Sequence, residues 1–203
     1  MINVSILGSG TGSNFSAILD YAKAGNLPNV NIVSVISDVE SAKILDKAKT
    51  AGLNSYYIAA NNFKTKLEGE PEQNYIKILK ENKTDYIVLA GFMRILKPAL
   101  LSEFPNRIIN VHPALLPAFP GIRSWEQALN YGAKITGCTV HFVDAGMDTG
   151  PIIAQVSVPV LENDTAESLH ARIQIEEHKL LPNTLRLISE NRVKITEKRV
   201  IIS

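Results

Sequence analysis

The chain has one cysteine in 203 residues, Cys138. That excludes an intramolecular disulfide framework and a Cys-rich zinc site. Cys138 lies in the apolar run 135–143, where a buried small side chain is the expected role. Charge of one sign is also lacking. There are 21 basic and 20 acidic residues, a formal net charge of +1, and no basic tail or Lys/Arg run. General nucleic-acid binding is therefore not expected. No apolar run reaches the length of a membrane span. No basic leader with a long apolar centre and a cleavage site precedes the first apolar run, so a cytoplasmic protein is expected. Repeats, low-complexity tracts and interdomain linkers are absent. His170 and His178 stand two helical turns apart with no third ligand nearby, so no metal is expected. What is present is a 45% hydrophobic fraction, enough for a substantial core.

Residues 2–7 read as a buried strand. Gly8-Ser9-Gly10-Thr11-Gly12-Ser13-Asn14 comes directly after it. A helix is next, with Phe15, Ile18, Leu19 and Ala22 at helical spacing. Strand, glycine loop and helix suggest a Rossmann-like first unit. Glycines permit close backbone approach, and amides at a helix start can cradle a phosphate. The loop is neither Gly-x-Gly-x-x-Gly nor a Walker loop, because Ser13 or Phe15 fills the last glycine slot and no lysine comes after it. A tight turn with no ligand remains the alternative.

Further strands are expected over 30–37, 55–58 and 85–90. Helices are expected over 41–51, with Gly52 ending it, and over 72–80. Residues 61–71 read as an exposed loop, and the charges there as a solvated face. Pro98 should open a helix. Ser124 can cap a helix over 125–131. Residues 135–143 and 152–158 read as long strands, joined closely enough to pair antiparallel. The last long helix should start at Asp164 or Thr165 and show an apolar face of Leu169, Ile173, Leu180 and Leu181. Pro182 should kink or restart it near Asn183. A small hairpin should end the chain over 191–202. The expected fold is thus α/β and Rossmann-like: a mainly parallel sheet flanked by helices, with an antiparallel carboxyl-terminal extension.

Chemistry concentrates in residues 107–121. The strand 107–111 is apolar, β-branched and bounded by prolines. Alternation sends Asn110 and His112 out on the same side of its end. Pro113 forces a turn, and Pro117, Pro120 and Gly121 continue a stiff loop. An amide donor and an imidazole are then fixed together at the carboxyl end of a strand, where open α/β sheets bind ligands. Both can donate to a developing oxyanion, and the imidazole can also move a proton. A turn-capping asparagine beside a packed histidine is the alternative.

The segment Asn110-Val111-His112-Pro113-Ala114-Leu115-Leu116-Pro117 resembles the Asn-x-His-Pro-x-Leu-Leu-Pro stretch of the 10-formyltetrahydrofolate-dependent formyltransferases. Two flanking blocks extend the resemblance. Leu89-Ala90-Gly91-Phe92-Met93-Arg94-Ile95-Leu96 lies upstream, and His141 to Pro151, including Asp144 and Met147-Asp148-Thr149-Gly150, lies downstream. Ala114 stands where relatives often carry serine. The resemblance implies that Asn110, His112 and Asp148 are catalytic. It implies a folate site from Met93, Arg94, Ile95 and Leu96, with Asn110, Val143, Asp144 and Asp148, and Lys66 as the best match for a basic residue reaching the folate. Gly12, Ser13 and Asn14 resemble the ribonucleotide-phosphate loop of members that act on glycinamide ribonucleotide. Gln174 and Glu177, three apart on one helix face, match residues that help hold that substrate. His141 is expected to be structural.

The resemblance implies one formyltransferase domain over 1–203. Its nucleotide-binding half spans about 1–105, and its folate-binding and catalytic half about 106–203. Its expected reaction moves formyl from 10-formyltetrahydrofolate, the co-substrate, to the amine of glycinamide ribonucleotide in de novo purine synthesis. No metal is expected to take part. Asp148 would favour the His112 imidazolium by opposite charge. Rivals are a 10-formyltetrahydrofolate hydrolase, another formyltransferase, or a non-catalytic folate- or nucleotide-binding protein. Hydrolases usually carry an amino-terminal regulatory domain, and tRNA and sugar formyltransferases extra carboxyl-terminal sequence; neither is in this chain. Small-molecule partners and a monomer or homodimer are expected, with no nucleic acid or membrane.

Overall fold

A computed structural model describes residues 1–61, 65–197 and 199–203. Phe63 and Lys64, on which the alignment of Lys66 leans, lie outside the described residues. The chain forms two compact units, Met1–Asn110 and Val111–Ser203.

The first unit runs β1 (Ile2–Leu7), α1 (Ser13–Lys23), β2 (Val30–Ser37), α2 (Lys43–Thr50), β3 (Ser55–Tyr57), β4 (Lys66–Leu67), α3 (Glu70–Glu81), β5 (Tyr86–Leu89), β6 (Ile95–Leu96), α4 (Pro98–Glu103) and most of β7 (Ile108–His112). Strands β3, β2, β1, β5 and β7 lie side by side in that order and pair in parallel. Their side chains are β-branched and aliphatic because both faces are covered: Val4, Ile6, Leu7, Val35, Ile36, Ile87, Val88, Ile108 and Ile109 are almost fully buried. Each such side chain contributes roughly 1.5–3 kcal/mol of transfer free energy. The order reverses between β1 and β5, which makes the carboxyl ends of those two strands the topological switch point.

Several boundaries differ from expectation. Helix α2 begins at Lys43 rather than residue 41, because Ala42 is still extended and offers no side-chain cap. Helix α3 begins at Glu70, and Pro71 sits in its first turn, where a missing N–H costs nothing. Within the expected loop 61–71, β4 pairs in parallel with β6, two residues each. A two-residue pairing has no periodicity to read. Glu72, in the first turn of α3, is buried despite its charge. It is 4% exposed and accepts a 2.9 Å hydrogen bond from the Leu100 amide.

The second unit contains α5 (Ser124–Tyr131), β8 (Ile135–Phe142), β9 (Ile152–Pro159), α6 (Ala166–Ser189), β10 (Val193–Thr196) and β11 (Arg199–Ile202). Strands β8 and β9 pair antiparallel, with a register shift between Val140 and His141. Strands β10 and β11 form the terminal hairpin. Ser124 is the first residue of α5 and not its cap: Arg123 holds the cap position in the left-handed region. The Ser124 hydroxyl instead donates to the Pro113 carbonyl at 2.9 Å.

Helix α6 passes through Pro182 without restarting. Proline removes one helical hydrogen bond, but Leu180, Leu181, Leu185, Leu187 and Ile188 are all buried around it. Tertiary burial outweighs the local cost. Among the described residues, no helix is long and apolar enough to cross a membrane.

The start of α6 is set by a reciprocal cap. Thr165 Oγ1 accepts from the Ser168 amide at 3.2 Å, and the Thr165 amide donates to Ser168 Oγ at 2.9 Å. Thr165→Ala should therefore destabilise the protein by roughly 1 kcal/mol, read as a lower urea midpoint with an unchanged slope.

Candidate active site

Strand β7 delivers the central pair. Its register against β5 places Asn110 opposite Leu89, at the end of the buried ladder. Val111 and His112 come next; His112 is 4% exposed. The chain then turns at Pro113, and a network on β8 and β9 holds that turn. Thr139 Oγ1 donates to the Ala114 carbonyl at 2.7 Å and accepts from the Leu116 amide at 3.1 Å. Gln155 Nε2 donates to the Leu116 carbonyl at 2.9 Å.

The His112 ring is engaged at both nitrogens. Nε2 donates to the Phe119 carbonyl at 2.9 Å. Nδ1 lies 3.4 Å from Asp148 Oδ2. An imidazolium satisfies both acceptors at once. Asp148 sits in the connection between β8 and β9 with φ 55, a left-handed conformation that aspartate tolerates better than most residues. That connection is tightly built. Asp144 Oδ1 accepts from the Gly146 amide at 3.0 Å and from Thr149 Oγ1 at 2.7 Å. Gly150 must be glycine, since a Cβ there would meet the Phe142 carbonyl oxygen at 1.9 Å. Asp148 Oδ2 also accepts from the Gly121 amide at 2.8 Å. One carboxylate thus faces His112 and holds the end of the proline-rich loop.

His141 is the neighbour that sequence reading placed only as structural. It is 2% exposed, and its Nε2 is 3.7 Å from Asp148 Oδ1. Its Nδ1 donates to the Phe142 carbonyl at 2.8 Å, which makes Nε2 the acceptor nitrogen of the neutral ring. Burial pushes the His141 imidazole below its ordinary value; the Phe142 carbonyl and the Asp148 carboxylate oppose that without reversing it. His141 lies at the register shift between Val140 and His141 in the β8–β9 pairing, and such a local irregularity leaves no sequence signal.

The glycine loop lies at the carboxyl end of β1. Gly12 caps α1 with φ 70, and a Cβ there would meet Ile44 Cγ1 at 2.8 Å and its Cα at 3.1 Å, so both conformation and space require glycine. Ser13 and Asn14 open the helix, where first-turn amides have no helical acceptor. Sequence reading missed Lys47. Its Nζ donates to the Gly12 carbonyl at 3.3 Å and to Ser16 Oγ at 2.9 Å, adding a cation beside the helix start. No spacing rule links Lys47 to a residue 35 positions earlier in the chain.

After β5, Met93 and Ile95 are 66% and 40% exposed, an apolar surface, whereas Leu96 is 6% exposed and belongs to the core. Arg94 is not the simple surface cation its position suggests. Its Nε donates to Asp38 Oδ2 at 2.6 Å. Lys66 is exposed and stands opposite Ile95 in the β4–β6 pairing. In the second unit, Val143 is half-buried and Asp144 exposed. Gln174 and Glu177 share a face of α6, and Glu177 is 4% exposed, not solvated.

The remaining reactive groups are engaged in packing. Burial, with Glu177 second, pushes the Cys138 thiol up to about 12, so it is no nucleophile near neutral pH. His170 stacks on Trp125, ring centroids 3.7 Å apart. Among the described residues, no cluster of three or more His, Cys, Asp or Glu is placed to hold a metal ion.

Known proteins resemble this chain over most of its length. A family described as formyl transferase matches residues 2–185. The phosphoribosylglycinamide formyltransferase of Bacillus subtilis (strain 168) is 39% identical over 92% of this chain and 94% of its own length. A crystal structure of glycinamide ribonucleotide transformylase 1 from Symbiobacterium toebii superposes with a TM-score of 0.94 at 44% identity, covering 100% of this chain and 94% of that one. The trifunctional purine biosynthetic protein adenosine-3 of Bos taurus is 39% identical over 96% of this chain, which spans only 19% of that protein's length.

The depressed imidazole of His141 has a signed consequence. The folded state resists its protonation, so its contribution is fully present above the ordinary value of about 6.5 and is lost as pH falls below it. The urea midpoint should drop between about pH 7.5 and pH 5.5, and drop less in His141→Gln. An equal drop in both proteins would contradict this.

Proposed function

The chain belongs to the formyl transferase family, and on that ground we propose that it moves a formyl group from 10-formyltetrahydrofolate to the amine of N1-(5-phosphoribosyl)glycinamide, in de novo purine synthesis. One observation supports the catalytic assignment above others. The His112 imidazole, at the end of β7 and two residues beyond Asn110, and the Asp148 carboxylate, in the connection between β8 and β9, meet at 3.4 Å.

An α-amino group has a pKa of about 8, so much of it is protonated near neutral pH and must lose a proton before it attacks. Attack forms a bond from the amine nitrogen to the formyl carbon and moves an electron pair onto the formyl oxygen. The Asn110 amide donates to that oxyanion, and so does the His112 imidazolium, whose Nε2–H exchanges the Phe119 carbonyl for it. Asp148 faces the ring at 3.4 Å and orients it. As the tetrahedral species collapses, the bond from carbon to the folate nitrogen breaks. That nitrogen takes a proton from His112, directly or through water, while the amine loses its own to solvent or to a water held by Asp148. Transfer is direct and no acyl-enzyme forms, which suits a chain whose single cysteine is buried and protonated.

On this reading Gly12, Ser13 and Asn14 hold the phosphate at the start of α1, with Lys47 adding charge, and Gln174 and Glu177 contact the same substrate. Exposed Met93 and Ile95 line the pterin, with backbone groups of Arg94 and Leu96, and Asn110, Val143, Asp144 and Asp148 complete the folate contacts. Lys66 reaches the folate's acidic tail. The protein works as one formyltransferase domain, in the cytoplasm, on small molecules, as a monomer or homodimer.

The test is an acceptor comparison. Formyl consumption should depend on glycinamide ribonucleotide and yield its formyl amide, with tRNA and water much poorer acceptors. Equal donor loss without the ribonucleotide would point to a hydrolase instead. In the same assay His112→Ala should fold and lose about 10²–10⁴-fold in rate. Near-normal turnover would return His112 to a packing role.

A further inference from the structure

Three strand ends of the first unit meet in one hydrogen-bonded ring. Ser9 lies just past β1, Asp38 just past β2, and residues 91–94 just past β5. The Met93 amide donates to Ser9 Oγ at 2.9 Å, and Ser9 Oγ donates to Asp38 Oδ1 at 2.5 Å. Arg94 Nε donates to the other oxygen, Asp38 Oδ2, at 2.6 Å. The Ser9 amide also donates to the Gly91 carbonyl at 3.1 Å. Two consecutive residues, Met93 through its backbone by way of Ser9 and Arg94 through its side chain, are therefore tied to the two oxygens of a single carboxylate.

The carboxylate is nearly inaccessible: the Asp38 side chain is 1% exposed and that of Arg94 17%. A buried carboxylate is costly unless it is paired and hydrogen-bonded. Here both oxygens are used, and both partners lead to the same short segment. That segment cannot brace itself. It lies between β5 and the two-residue β6, and it leaves Met93 and Ile95 exposed. Two residues of pairing with β4 fix little. The ring supplies what the sheet does not.

From this geometry we infer that Ser9, Asp38 and Arg94 are positioning residues for the formyl donor: they fix the backbone of residues 93–96 against the glycine loop, so donor affinity depends on the Asp38 carboxylate. The inference rests on the reading of residues 93–96 as the pterin wall. It assigns Arg94 an internal structural charge, balanced by Asp38, rather than a charge that recognises ligand. It also makes the first glycine loop serve two ends. Residues 12–14 face the acceptor's phosphate, and Ser9 of the same loop sets the donor side.

The test uses the full chain with 10-formyltetrahydrofolate and glycinamide ribonucleotide as probes. Asp38→Asn keeps the shape, removes the charge and weakens the grip on Arg94. The donor KM should rise on the order of tenfold, the scale of one charged hydrogen bond. The acceptor KM and kcat should change much less. Without any substrate, the Met93 amide should exchange with solvent faster. Arg94→Gln should act in the same direction, and the double variant should be less than additive. If Asp38→Asn fails to fold, Ser9→Ala carries the same two readouts with a smaller expected change. If the wild-type chain binds no donor, the functional reading fails and the donor role with it, whatever the exchange shows. Where wild type binds donor, an unchanged donor KM in a folded variant overturns this inference alone. Faster Met93 exchange with unchanged donor KM does so too, because the ring would then serve only the fold.

Discussion

The second unit depends on where one carboxylate can be put. Asp148 faces His112 at 3.4 Å and His141 at 3.7 Å, and accepts the Gly121 amide at 2.8 Å. Both imidazoles are almost fully buried. The anion accepts from the Gly121 amide and faces the His112 ring, and it fixes both in return. Much else depends on keeping it there. The turn that carries it is closed by Asp144 and by the close approach of Gly150 to the Phe142 carbonyl. The loop that meets it is stiffened by prolines and pinned through Thr139 and Gln155. The left-handed backbone at Asp148 is a local cost borne by that surrounding structure.

A different constraint governs the first unit. Parallel strands end together, and the loops leaving them must satisfy their own polar groups at the switch point. The chain meets this with short contacts between loops. Ser9 serves Met93 and Asp38, Asp38 serves Arg94, and Lys47 serves Gly12. These loops carry the residues assigned to phosphate and folate, so the bracing of the fold and the shaping of the sites use the same side chains.

Much of the fold was legible because its signals are local. The apolar runs of β1, β2 and β7, the paired runs of β8 and β9, and the Thr165 cap each announce themselves within a few residues. Asn110 and His112 could be placed on one side of a strand end for the same reason. What was missed is non-local or too short to be periodic. Asp38 and Arg94 are 56 residues apart, and Ser9 and Met93 84 apart. The β4–β6 pair has two residues a side. Glu72 is charged yet buried, and accepts from the amide of Leu100, 28 residues later. Pro182 suggests a restart until the buried leucines around it are counted in. In each case tertiary packing overrides a correct local rule.

The proposed formyl transfer by His112 stands most directly on the charge of Asp148, and Asp148→Asn isolates it, since the amide nearly preserves shape and can still accept from Gly121. The decisive measurement is kcat for formyl transfer in this variant, set beside calorimetric affinities for 10-formyltetrahydrofolate and glycinamide ribonucleotide. The predicted result is a collapse of kcat, with both substrates still binding nearly as in wild type. Unchanged kcat in a folded variant would contradict the catalytic role and leave Asp148 as an ordinary turn aspartate.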